Sequence, residues 1–138
     1  MIPRARLLII GPTPPPYHGV AMAIRTLLDS TLNDSFEVSH LELADRRGIG
    51  HVNKPDLYDV ALFCRQWLRL LWLLIRRRPQ VVYLVLSQST IGVLRDSFFV
   101  WPAVLSGAKV AAHLHGAAFQ DWYVRRWFPM RWYTRLFM

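Results

Sequence analysis

The sequence predicts an α/β fold, a parallel sheet of about four strands with helices packed against it. Three observations carry that prediction. Short apolar runs such as Leu7–Ile10, Val81–Leu86 and Lys109–Leu114 alternate with segments of helical period, the pattern of successive βαβ units. The run Val81–Leu86 is continuously apolar, as expected of a strand covered on both faces. Two strands lead into loops rich in proline, glycine and histidine, the kind that face a ligand at the carboxyl ends of such a sheet.

Taken in order, Leu7–Ile10 is the first strand and Val20–Leu32 its helix, with Ala21, Ile24, Leu27 and Leu28 on one face. Phe36–Leu43 is a second strand, less hydrophobic and therefore placed nearer an edge. Ala44–Asp56 holds charges, two glycines and Pro55 and reads as a loop. Leu57–Arg77 is a long helix stopped at Arg78-Pro79. Val81–Leu86 follows as the third strand. Thr90–Ser106 is a helix kinked or broken near Pro102, with Gly107 as its stop. Lys109–Leu114 is the fourth strand. Asp121 then caps a final aromatic and basic segment running to Met138.

Size and composition bound the function. A chain of 138 residues is one domain's worth, and 53% hydrophobic residues argue against disorder. The formal charge is +8 and almost wholly arginine, Lys54 and Lys109 being the only lysines. That balance favours an anionic partner. The single cysteine, Cys64, excludes an internal disulfide and fits a reducing cytosol. The apolar run before Gly11 is too short for a secretory signal. No stretch reaches the ~20 uninterrupted apolar residues of a membrane span, because Arg65 and Arg69 interrupt one candidate and Arg95, Asp96 and Pro102 the other.

The first loop, Gly11-Pro12-Thr13-Pro14-Pro15-Pro16-Tyr17-His18-Gly19, has neither dinucleotide-binding nor Walker spacing. Three prolines favour an extended, pre-ordered backbone, which lowers the entropy lost when a ligand settles against it. Gly19 stands where a helix begins, so its backbone can approach an anion. The alternative is a proline-rich connection with no ligand. In the fourth strand His113 and His115 share a side, and Gly116 frees the chain to turn. His115 is thereby a candidate proton acceptor or donor at the rim, or else a histidine hydrogen-bonded to a neighbouring loop. Zinc is disfavoured, since no nearby Cys, Asp or Glu completes a four-ligand set.

These loops, with Arg78-Pro79-Gln80-Val81-Val82-Tyr83 opening the third strand, Leu94-Arg95-Asp96 in the following helix and Lys109-Val110-x-x-His113-Leu114-His115-Gly116, resemble the amino-terminal region of family 4 glycosyltransferases. The resemblance implies one incomplete half of a GT-B fold, two Rossmann-like domains facing each other across a cleft. It implies that residues 1–138 form a single partial amino-terminal domain that mainly receives the acceptor. The carboxyl-terminal domain, with the donor pocket and paired glutamates, would then be absent from this chain, and the chain alone would be inactive. By the same carry-over His115 lies near the transferred sugar as the catalytic candidate. Gly19, His18, His113 and Gly116 are the candidate substrate-binding residues. Anomeric configuration is retained, no metal or other cofactor is required, and the nucleotide-sugar donor is a substrate. Many members have paired glycines where this chain has His18-Gly19, which points His18 toward the acceptor.

The arginines define a second expectation. Asp59, Gln66, Arg69 and Arg76 form a narrow polar stripe on Leu57–Arg77, with Arg65 and Trp72 beside it. Arg76 and Arg77 also suit the negative end of the helix dipole. Arg125, Arg126 and Trp127 belong to the final aromatic and basic segment. Aromatic rings beside arginines suit an anionic membrane surface. The alternative is that the aromatics pack under a missing fifth strand and the arginines form a solvated rim. Nucleic acid is disfavoured because the arginines sit among bulky apolar residues and no nucleic-acid-binding signature is present.

The combined expectation is the acceptor-side part of a glycosyltransferase that moves a sugar from a nucleotide-sugar to a lipid-linked or polysaccharide acceptor. It would be cytoplasmic and peripheral at the inner face of the membrane. The rival expectation is a non-catalytic membrane-binding subunit that needs a separate donor-binding partner chain.

Overall fold

A computed structural model describes residues 4–43, 57–87 and 90–114. The elements are β1 (Ala5–Gly11), α1 (Gly19–Leu28), α2 (Leu32–Ser35), β2 (Phe36–Glu42), α3 (Leu57–Arg77), β3 (Val81–Leu86), α4 (Thr90–Leu105) and β4 (Lys109–Leu114). The four strands form one all-parallel sheet in the order β2-β1-β3-β4. The fold is the predicted α/β type, a Rossmann-like parallel sheet flanked by helices. The less hydrophobic β2 is an edge strand, as its composition predicts.

Each face of the sheet carries its own core. Leu8 and Ile10 of β1, Leu41 of β2, and Val82, Leu84 and Leu86 of β3 point toward α3 and α4. There they meet Leu70, Leu73 and Leu74 of α3 and Phe99, Val100 and Ala103 of α4. On the other face Leu7 and Ile9 pack against Ile24 of α1. The central strand β1 is therefore buried from Leu7 to Gly11, because helices lie on both of its sides.

The expectation that β3 is sealed on both faces needs correction. Val82, Leu84 and Leu86 are buried, whereas Val81, Tyr83 and Val85 are only half-buried. The physical reason is lateral position: α1 sits over β1 and covers β3 only in part. Farther out on the same face, Lys109, Ala111 and His113 of β4 are exposed.

The helix after β1 is shorter than its periodicity predicts. It ends at Leu28, and a four-residue turn, α2, follows after Asp29–Thr31. Ser30 accounts for the stop, since its hydroxyl donates to the Leu27 carbonyl at 2.6 Å. Serine and aspartate compete for backbone groups in this way and so favour helix ends.

The helix α4 runs through Pro102 without a break. Pro102 has no N–H, so the Phe98 carbonyl one turn earlier lacks its helical donor. The Trp67 indole of α3 donates to that carbonyl instead, at 3.0 Å. The helix closes in a Schellman arrangement: Ala108 N–H donates to the Ala103 carbonyl and Gly107 N–H to the Val104 carbonyl. Gly107 takes φ +83, where a side chain would be strained.

Candidate functional site at the carboxyl rim

Because all four strands are parallel, Gly11, Glu42, Leu86 and Leu114 end on one rim. From β1 the chain passes outward to β2, whereas β3 and β4 lie on the other side of β1. The order therefore reverses between β1 and β3, and a crevice opens outside the carboxyl ends of strands at such a point. It is bordered by the loop 12–18 after β1 and by Ser87, where the chain leaves β3.

The first wall is firmly tied. Glu42, at the end of β2, accepts the Thr13 backbone N–H at 2.9 Å and also the Thr13 hydroxyl. The His40 Nε2 lies 2.9 Å from the Gly11 carbonyl oxygen. A Cβ at Gly11 would stand 2.9 Å from both Cγ1 and Cδ1 of Ile24, so glycine there is what lets α1 close on the strand end. Both Pro14–Pro15 and Pro15–Pro16 peptide bonds are cis.

His18 is the N-cap of α1, with φ −147° and ψ 166°. Its Nδ1 accepts the Ala21 N–H at 3.3 Å. That contact fixes the ring as the tautomer protonated on Nε2 and satisfies one free donor of the helix start. Gly19 is the first residue of α1, on the rim as its position after β1 predicts.

The second wall is pinned from inside. Asp96 of α4 is buried, 2% exposed. It accepts the Ser87 N–H at 2.7 Å and two Arg95 contacts, from Nε at 3.0 Å and Nη2 at 2.8 Å. Arg95 Nη2 also reaches the Ser87 hydroxyl at 3.0 Å. A buried carboxylate with its charge paired and its acceptors filled fixes where the chain leaves β3.

His113 lies near the end of β4 on the sheet face that also carries α1, one residue short of the rim. Its Nδ1 is 2.5 Å from the Tyr83 hydroxyl, and the two rings meet edge to face with centroids 6.0 Å apart. Burial holds the Tyr83 phenol above its ordinary value, and which partner donates in this contact follows from the imidazole tautomer. His115, Gly116, Arg125, Arg126 and Trp127 lie outside the described residues. Leu114, the residue before His115, ends β4 on the same rim as Gly11.

Of the predicted membrane-contact residues, Arg65, Arg69, Trp72, Arg76 and Arg77 are all exposed on α3. Arg65 and Arg69 border a cleft of about 360 Å³ shared with Leu41, Glu42, Tyr58 and Gln66. Arg77 instead turns to the sheet edge and pairs with Glu37 at 3.3 Å. A wider cleft of about 730 Å³ opens at the opposite, amino-terminal rim, between Ile75, Arg78, Gln80, Gly107 and Lys109. It lies where strands begin, away from the crevice that a parallel sheet offers a ligand. Among the described residues no group of three or more His, Cys, Asp or Glu could hold a metal ion. Among the described residues no helix is long and apolar enough to cross a membrane.

Sequence reasoning passed over Glu42 and His40, which carry no motif, and quoted Tyr83 only within the run that opens β3. It quoted Arg95-Asp96 without a role, although an acid inside an otherwise apolar helix signals a buried, paired group. Comparison with protein-family models, with curated proteins and with solved structures gives no match.

Proposed function

We propose that this chain forms the acceptor-side, amino-terminal part of a retaining family 4 glycosyltransferase of the GT-B type. The reaction moves a sugar from a nucleotide-sugar to a lipid-linked or polysaccharide acceptor, at the inner face of the membrane. The observation that supports the reading best is the β1/β3 crevice. The tied loop after β1 leads to Gly19, Asp96 pins Ser87 where the chain leaves β3, and β4 ends at Leu114 on the same rim. In this reading the donor and its phosphates sit mainly in a second Rossmann-like domain, His115 orients the transferred sugar or exchanges a proton near it, and the crevice seats the acceptor. His18 acts by holding the start of α1, and Gly19 lets ligand approach the backbone there.

The test is sugar transfer from labelled nucleotide-sugars to a membrane lipid extract. It uses the product of the reading frame extended downstream, with His115→Ala beside it. Transfer that His115→Ala abolishes, with melting midpoint unchanged, supports the reading. Unaltered turnover in His115→Ala removes that residue from the site. A downstream region without a second Rossmann-like domain removes the single-chain enzyme.

A further inference from the structure

The most conspicuous feature outside the rim is on the far side of the α3–α4 layer, facing away from the sheet. On α3 the positions Leu57, Cys64, Leu68 and Ile75 recur at seven, four and seven residues and are exposed, Leu57 by 89% and Ile75 by 74%. On α4 the positions Leu94, Phe98, Trp101 and Leu105 recur at four, three and four, with Phe98 exposed by 55% and Leu105 by 81%. Those spacings place each set on one helical face. Both faces lie opposite the core residues Leu70, Leu73, Phe99 and Ala103.

The two stripes are neighbours. Phe63 meets Phe98 and Phe99 edge to face, with centroids 5.8 and 5.7 Å apart, and Trp67 bonds the Phe98 carbonyl. The two adjacent helices thus present their exposed apolar side chains on one outward surface.

The charge that α3 contributes along this surface is mainly basic, although Arg65 and Arg69 share a cleft with Glu42 at the end of β2. Arg65 and Arg69 stand two positions beyond Phe63 and Trp67, hence about 200° round the helix, on the flank of α3 away from α4. No ion pair or hydrogen bond among the described residues engages either one. Arg76 continues the same flank. The only carboxylates on the two helices are Asp59 and Asp96. Asp96 is buried and paired, and Asp59 is half-buried, turned toward the sheet side.

We infer that the outer face of α3 and α4 docks on an anionic lipid surface. The apolar stripes enter the headgroup–acyl boundary, and Arg65, Arg69 and Arg76 take lipid phosphates along one border. The arginine border on an apolar face with no outward carboxylate selects anionic lipid over a neutral bilayer. The inference deepens the proposed function and rests on its membrane-side reading, but it names a surface, with α4 as the inserted element. Docked this way, the strands run parallel to the membrane, with the sheet one helix diameter, about 10 Å, above the contact. The carboxyl rim then opens sideways, where a lipid-linked acceptor can reach it without leaving the bilayer.

Cys64 is the chain's only cysteine and is exposed on the inserted face, so the native chain accepts one environment-sensitive thiol label there. The labelled protein is titrated with vesicles of phosphatidylglycerol and phosphatidylcholine or of phosphatidylcholine alone, with co-flotation measured in parallel. The expected result is blue-shifted emission and protection from an aqueous quencher with the anionic vesicles only. Arg65→Gln with Arg69→Gln weakens partition by about tenfold or more. Phe98→Ser with Leu105→Ser does so by about tenfold at least. Unchanged far-ultraviolet dichroism and melting midpoint show that these variants fold. Co-flotation with an unshifted label overturns this face while leaving membrane binding through another surface. No co-flotation removes the membrane reading altogether. A label shift that follows protein concentration without vesicles, with dimer in sedimentation, makes the face a contact between copies of the chain.

Discussion

Trp67 of α3 donates its indole N–H to the Phe98 carbonyl of α4 at 3.0 Å. That carbonyl is the one Pro102 leaves without a helical donor. The link explains how α4 keeps a proline in its interior and remains one helix, and it fixes α3 against α4 at the middle of both. Trp67→Phe keeps most of the apolar area and removes only the donor. Because Phe98 is partly exposed and water can reach the vacated oxygen, the expected cost is about 1 kcal/mol. Pro102→Ala restores the N–H, so Trp67→Phe in that background costs measurably less. Urea unfolding of the four proteins closes the cycle, and additive effects would show that the indole bond does not compensate the proline.

Gly11 ends β1 where Ile24 of α1 crosses it, and no side chain fits between them. Gly11→Ala must push Ile24, which is buried at 1% exposure, and such overpacking costs about 1–3 kcal/mol. Ile24→Val removes the Cδ1 atom and recovers part of the loss, although the contact to Cγ1 remains. Thermal melts of the single and double variants measure this. An Ala variant as stable as the parent would show that the strand end can move away from α1.

The sheet was legible because its signals are local. Val81–Leu86 and Lys109–Leu114 have the bounds their apolar runs predict, and Leu57–Arg77 ends where proline follows. Arg78, at φ +46, makes that turn as a left-handed residue. What escaped the sequence depends on partners far along the chain. The unbroken course of α4 depends on an indole 35 positions before Pro102 (102 − 67). The half-covered face of β3 depends on where α1 settles. At the rim, Gly19 and His113 could be placed by spacing alone. The cap made by His18, the Glu42–Thr13 tie and the Asp96 pin could not, because each joins side chains that no motif relates.

Asp96 lies under the crevice, and its carboxylate holds Ser87 N–H and Arg95 together. Asp96→Asn keeps one acceptor for Ser87 but loses the charge that pairs Arg95, and the expected cost is about 1.5–3 kcal/mol. Arg95→Gln is expected to cost less than Asp96→Asn, since Arg95 is half-exposed and water replaces its partner. Chemical denaturation ranks the two. The reverse order would mean that Arg95, through the Ser87 hydroxyl, is what holds the turn.

Tyr83 gives a pH dependence with a definite sign. Burial raises the folded-state value of its phenol above the ordinary value near 10. Between those two values the unfolded chain has lost a proton that the folded chain keeps. Folding stability from this group is therefore complete below pH 10 and falls as pH rises through the folded value. Tyr83→Phe deletes the titrating proton, so its unfolding free energy runs flatter above pH 10 than that of the parent. Urea midpoints between pH 9 and 11, compared with a Tyr17→Phe control at an exposed tyrosine, isolate the contribution. If Tyr83→Phe and Tyr17→Phe give parallel curves, the phenol is not held in its neutral form by the fold.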